Sequence, residues 1–236
     1  MTKLTATSIM PKLSVNKAHV FTAGATLLCM AVSSSATAGG PAPTFESIFQ
    51  AGSEPDSLSY RASFEGPDGS HTLQVWRDRQ TRLRRKTDDA VDTYVVRSNA
   101  DSFDYQMTVV DYRKRITTRI NRNNLIHLGH FSDWFDLAHG LRHPVGAYRL
   151  ARATAPSKAP VPALPCRWYA LTQGNDTHRI CWSAREHLPM VIWSDRAALA
   201  VWRVVNVDNR PIDDDVFLLH DTDFVHNDAS ADIDRD

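Results

Sequence analysis

Cysteine, surplus charge and long apolar runs are all scarce in this sequence. Its 27 lysines and arginines balance 27 aspartates and glutamates, which leaves no global attraction for a polyanion such as nucleic acid. The G-x-S-x-G, H-E-x-x-H, Walker and C-x-x-C-H patterns are absent, so no enzyme, no cofactor and no metal ion is expected. No internal repeat is visible. After the N-terminal region no apolar stretch is long enough to cross a bilayer as a helix, so no membrane span is expected in the mature chain.

What the N-terminus does carry is a secretory leader. Lys3, Lys12 and Lys17 form a positive region without any acid, Ala18 to Val32 is a mostly apolar run, and Ala36-Thr37-Ala38 precedes Gly39-Gly40. That is the layout of a cleaved signal peptide over residues 1–38, and it predicts a soluble periplasmic protein. Removal takes three lysines and no acid, so the net charge moves from 0 to −3. Cys29 leaves with the leader. Two cysteines then remain in an oxidising compartment, Cys166 and Cys181.

These two bracket Gly174-Asn175-Asp176 in CRWYALTQGNDTHRICWS, where two strand-like runs flank a turn. A register with Trp168 opposite Arg179 and Tyr169 opposite His178 sets the cysteines face to face, near enough for a disulfide. Tyr169, Leu171, Ile180 and Trp182 share one face of the hairpin by the period-two rule.

Upstream of the hairpin the text is strand-like. Residues 39–58 form an N-terminal segment with Phe45, Ile48 and Phe49 at helical spacing, which predicts a short docking helix. Runs over 59–65, 71–77, 81–87, 91–98, 105–110 and 116–120 alternate with turn signals such as Gly66-Pro67-Asp68-Gly69, which describes an antiparallel meander. Phe131, Trp134, Phe135, Ala138 and Leu141 then recur as an apolar helical stripe, predicting a helix over 131–141. Residues 153–165 contain four prolines and read as a stiff linker. Further runs follow at 190–194 and 199–207, the latter apolar on both faces. Residues 220–236 read as an acidic disordered tail. The predicted fold is mainly β (α+β): a curved antiparallel sheet or unclosed β-barrel over 59–219, with a helical lid and one hairpin disulfide.

This order of elements, with Cys181-Trp182-Ser183 and Leu188-Pro189-Met190-Val191-Ile192, resembles the lipoprotein-carrier superfamily with the LolA/LolB-like fold. It also resembles the first domain of the RseB/MucB periplasmic stress regulators. The resemblance implies an unclosed barrel with a helical lid and a cavity for acyl chains. Its implied partners are a lipid or an acylated protein, and an envelope partner protein. Two departures stand out: Thr81 to Lys86 lacks the proline of the carrier's arginine strand, and the hairpin disulfide has no counterpart there.

The candidate ligand-binding residues are Trp134 and Phe135 on the lid, Trp182 on the hairpin, and Arg85. Arg82, Arg84 and Lys86 share the outward face, whereas Arg85 shares the inward face with Leu83 and suits a carboxylate or phosphate head. Four histidines, His127, His130, His139 and His143, raise the alternative of a periplasmic metal-binding or envelope-stress sensory protein. At about 100° per residue, His127/His130 and His139/His143 point to opposite sides of a helix, which argues against one four-histidine site. Asp136, His139 and His143 share its polar face.

The exported protein should begin at Gly39. Intact-mass measurement on periplasmic material checks this, and a mass that retains Cys29 with added lipid overturns both the cleavage site and the soluble assignment.

Overall fold

The structure is a computed structural model that describes residues 42–127 and 133–229. The segment 1–38 read as a signal peptide, and Gly129, His130 and Phe131, lie outside those residues.

The predicted meander is there: β1 (Ser57–Gly66), β2 (Gly69–Asp78), β3 (Arg82–Thr87), β4 (Val91–Val96), β5 (Gln106–Asp111) and β6 (Ile116–Asn121). Each strand pairs antiparallel with the next. Period-two patterning puts Leu58, Leu83, Val95, Met107 and Ile120 into one cross-strand row on the concave face, with Arg77 between Leu58 and Leu83. The adjacent row on that face runs Tyr60, Val75, Arg85, Thr93.

After α1 (Arg122–His127) and α2 (Trp134–His139), the second half comprises β7 (Arg149–Arg152), β8 (Arg167–Gln173), β9 (Asp176–Ser183), β10 (Leu188–Ser194) and β11 (Leu199–Asp208). Antiparallel pairing of β11 with β1 joins the halves into one 12-stranded sheet, with β12 (Val225–Asp228) at one end and β7 at the other. The sheet is unclosed, since β12 and β7 are not neighbours.

Several details differ from the sequence reading. The hairpin register is shifted by two: Trp168 faces Cys181 and Tyr169 faces Ile180. A shift of two leaves every side chain on its expected face, but it moves Cys166 to the position just before β8. The disulfide to Cys181 is therefore diagonal rather than directly opposed, with Cα atoms 5.3 Å apart. Gly174, at φ +58°, supplies the left-handed first position of the two-residue Gly174-Asn175 turn that fixes this register.

The helix expected over 131–141 is only Trp134–His139. Asp133 caps it by accepting from the Asp136 amide, and left-handed Gly140 ends it. β11 is buried on one face, through Trp202 and Val204, while Val205 is 49% exposed on the other. Its outer valines therefore need no cover. β7 precedes the proline-rich linker. The segment read as a disordered acidic tail contains β12, which pairs parallel with β6; the backbone groups of an edge strand can be satisfied whatever the side chains are.

The concave face is filled, not empty. Phe45, at the N-cap, and Phe49, within the helical turn Glu46–Gln50, are fully buried and pack with Leu141, Tyr169, Ile180 and Trp182. Leu137 and Ala138 of α2 belong instead to the larger cluster around Leu58, Tyr60, Leu73, Val75 and Trp202. Among the described residues no helix is long and apolar enough to cross a membrane.

Replacing Cys166 and Cys181 by serine should lower unfolding stability by about 3 kcal/mol, the loop-closure value for a 15-residue separation. Chemical denaturation with and without reductant measures it; equal midpoints in the two conditions would show that the bridge contributes nothing.

Candidate functional site

Two places on the concave face combine burial with polar side chains, and α2 lies between them. Its stripe splits in two directions: Trp134, Leu137 and Ala138 pack toward the meander, and Phe135 packs toward the hairpin. Gly140 allows the close seating, because a Cβ there would lie 2.7 Å from the Trp202 ring. Trp202 is itself pinned by donating from Nε1 to the Pro189 carbonyl at 2.8 Å.

Of the four predicted ligand residues, Phe135 and Trp182 come together, their ring centroids 6.5 Å apart, with Phe45 and Phe49 filling the remaining space. Trp134 lies on the other side of α2, with the Arg97 guanidinium 4.2 Å above its ring. Arg85 is inward as predicted. Its Nη1 donates to the Leu137 carbonyl at 3.2 Å, and it forms no ion pair with a carboxylate among the described residues. Burial, and the charge of Arg142, push its pKa down. The outward arginines are not simply solvated. Arg84 pairs with buried Asp92 at 2.7 Å, stacks on Trp76 and donates to the Val216 carbonyl. Arg82 pairs with Asp78 and Asp214.

The second place was not found in the sequence as a unit. Glu54, just before β1, turns its carboxylate between Arg77 of β2, His139 at the end of α2 and His187 in the β9–β10 turn. Glu54 Oε1 is 3.0 Å from His139 Nε2 and 3.9 Å from His187 Nδ1, and Oε2 is 3.6 Å from Arg77 Nη1. His139, His187 and Arg77 are almost wholly buried, with side-chain exposures of 0%, 1% and 1%. Arg77 Nη2 donates to the Glu186 carbonyl at 3.0 Å, and Glu186 in turn accepts from the Ser183 hydroxyl. His187 holds a left-handed backbone, φ +50°, where glycine or asparagine sits with less strain.

Burial pushes the Glu54 carboxyl up, but the contact with His139 and the charges of Arg77 and His187 outweigh it and hold the pKa at about 2. Burial, then the nearby Arg77, pushes His139 down, and burial does the same to His187. Several atoms of this cluster lack a hydrogen-bond partner among the described residues: Glu54 Oε2, Arg77 Nε and Nη1, His139 Nε2 and both nitrogens of His187.

Asp136 and His143 sit together as expected, but His139 does not join them. His143 donates its amide to Asp136 Oδ1 at 3.1 Å and sets its Nδ1 3.2 Å from the same oxygen and 3.4 Å from Asp133. Gln50 takes its other nitrogen at 2.8 Å. His139 points to the opposite side of α2, because its ring is stacked on Phe135 at 4.2 Å and directed inward. The side chain of His127 lies outside the described residues. The sequence signals for the inner cluster were faint: Arg77 alternates with apolar residues on β2, and Glu54 and His187 sit in loops without periodicity. Open cavities of about 420 and 440 Å³ lie by the disulfide and along β7–β8; none of the four predicted ligand residues lines them.

No family model matches the chain, and no curated protein sequence matches it. Among solved structures, one of PNGF-II is similar over 75% of this chain and 32% of its own length, at 9% identity and a TM-score of 0.27. A likeness that faint carries no argument about this protein.

Burial, and then the neighbouring Asp133 charge, raise the Asp136 pKa to about 6. A raised pKa adds stability below the unfolded value of about 3.8 that is lost as pH climbs through about 6. Asp136→Asn removes that dependence, so its melting temperature relative to wild type should be more favourable at pH 8 than at pH 4. Identical offsets at both pH values would contradict the raised pKa.

Proposed function

We propose that this chain is an exported periplasmic binding protein of the lipoprotein-carrier type, which holds an acyl chain against the concave face of its sheet when α2 is displaced. The observation that carries this reading is Arg85. It is a guanidinium set among apolar side chains on the concave face, bonded to a helix-end carbonyl and facing no carboxylate among the described residues. A half-buried cation without its anion is costly in proportion to its burial, and an amphiphile supplies both missing parts: an anionic or carbonyl head for Arg85 and methylenes for Tyr60, Val75 and Trp202. Each buried methylene contributes about 0.8 kcal/mol, enough over a tail to replace the contacts of a six-residue helix.

On this reading Trp134 and Phe135 are the lid contacts, exchanged between the closed core and a bound chain, and Trp182 lines the neighbouring aromatic cluster. α2 suits displacement because it is short and its two flanks pack on different clusters. In the closed form the space is occupied by the protein's own side chains, so the ligand enters by exchange rather than by filling a void. An acylated protein would present the same chemistry as a free lipid.

Native mass spectrometry of protein taken from the periplasm, followed by organic extraction, tests the proposal. Wild type should carry an acyl-bearing molecule, or take up a fluorescent fatty acid with a 1:1 stoichiometry. Arg85→Gln should weaken uptake of the fatty acid but not of an uncharged acyl ester. Trp134→Asp should weaken both. Folded wild type that recovers no lipid and takes up neither probe would overturn the reading.

A further inference from the structure

We propose that Glu54, His139 and His187 form a binding site for a single borderline transition-metal cation, zinc(II) being the reference ion. This goes beyond the expectation of no metal and does not depend on the acyl-chain reading, whose site is Arg85 on the other flank of α2.

The argument starts from one tautomer. His139 Nδ1 lies 2.9 Å from the Phe135 carbonyl, and a carbonyl only accepts, so the ring proton is on Nδ1. Nε2 of the neutral ring is then a lone pair. It faces Glu54 Oε1, also an acceptor, at 3.0 Å, and makes no hydrogen bond. Two lone pairs pointed at each other in a buried pocket repel unless a proton or a metal cation lies between them, and a proton there would still leave both nitrogens of His187 without a partner among the described residues. A backbone carbonyl holding the far nitrogen is also how metal-bound histidines are oriented.

His187 supplies the third ligand. Its Nδ1 is 3.9 Å from the same Glu54 oxygen, its side chain is 1% exposed, and neither of its nitrogens has a partner. One ligand atom from each of the three residues falls within 4.8 Å of the others. Zinc bonds of about 2.0–2.2 Å in a tetrahedron need ligand atoms about 3.3 Å apart, a spacing that 3.0 and 3.9 Å bracket. Two imidazoles and a carboxylate are a donor set that suits zinc or its neighbours and is poor for calcium or magnesium.

With the imidazoles neutral, the Glu54 carboxylate balances the Arg77 guanidinium, so the cluster carries no net charge before an ion binds. Arg77 approaches Oε2, the Glu54 oxygen turned away from the histidines, where it can fix the carboxylate as an outer-shell partner does. Three protein ligands leave a fourth position for water or another donor.

The test uses the untagged full-length protein after chelator treatment. Zinc(II) titrated against a competing chelator should bind with one equivalent. The cobalt(II) form should show the intense visible absorption of a four-coordinate site. Glu54→Gln and His187→Gln should each weaken zinc binding at least about tenfold, a loss no smaller than that for outer-shell partners. His143→Ala, which alters the separate Asp133–Asp136 cluster, should leave it unchanged. If Glu54→Gln does not fold, His187→Gln in the β9–β10 turn and the wild-type cobalt spectrum still decide the matter. Absence of stoichiometric binding, a weak six-coordinate cobalt spectrum, or binding lost with His143→Ala and kept with Glu54→Gln would each overturn the proposal.

Discussion

The backbone pairing of β1 with β11 is the joint on which the rest of the structure depends. Without it the chain is a six-stranded meander and a separate group of hairpins, each with an apolar side and an open edge. With it, Tyr60 and Ala62 continue into Val204 and Trp202, and one concave surface spans both halves. Such a surface cannot satisfy itself, because the sheet does not close. The cover comes from two small pieces, the turn carrying Phe45 and Phe49 and the six residues of α2. Each sits where a special local feature allows close approach: Gly140 against the face of Trp202, and Tyr148, whose hydroxyl accepts from the Phe45 amide at 2.9 Å.

The two inward arginines divide the concave face by how their charge is met. Arg77 is answered by a carboxylate from outside the sheet, carried on the N-terminal segment, and that same carboxylate draws in two histidines. Among the described residues, Arg85 is answered by a backbone carbonyl and no carboxylate. A guanidinium in an apolar layer is destabilising unless paired, a cost that Glu54 offsets at Arg77 and that no carboxylate among the described residues offsets at Arg85. Their shared neighbour is α2, whose last residues present a carbonyl to one arginine and an imidazole toward the other. Movement of α2 would therefore be felt on both flanks at once.

Much of this was legible in the sequence, for reasons that can be named. Strand runs and their turns were visible because alternation and Gly/Asn/Asp turns are local signals, and the meander lies where they put it. The disulfide followed from composition and compartment, although its register did not: a two-residue slip preserves every face and leaves no trace in the pattern. Phe135, Trp182 and Arg85 were recognisable as inward from periodicity alone. The cluster of Glu54, Arg77, His139 and His187 was not, since its members come from a loop, a strand, a helix end and a turn, and only tertiary packing brings them together. Helix length was overestimated because an apolar stripe continues past the residue where Gly140 stops the backbone. β12 was missed because its pairing is with β6, far back along the chain, and its exposed polar residues carry no alternation.

That last strand gives the molecule an order of completion. β6 is the end of the meander, and its outer backbone groups find partners only when Val225–Asp228 arrives alongside. Until the final residues have emerged, β6 offers an open template to any other extended chain. A protein that reaches its compartment unfolded would spend that interval at risk of joining a neighbour edge to edge. The opposite rim is guarded differently, by the shortness of β7 and its exposed Arg149 and Arg152. The C-terminal stretch thus covers the outer backbone groups of β6 with a strand of only four residues, and removing Val225–Asp228 would leave the longer edge of β6 open.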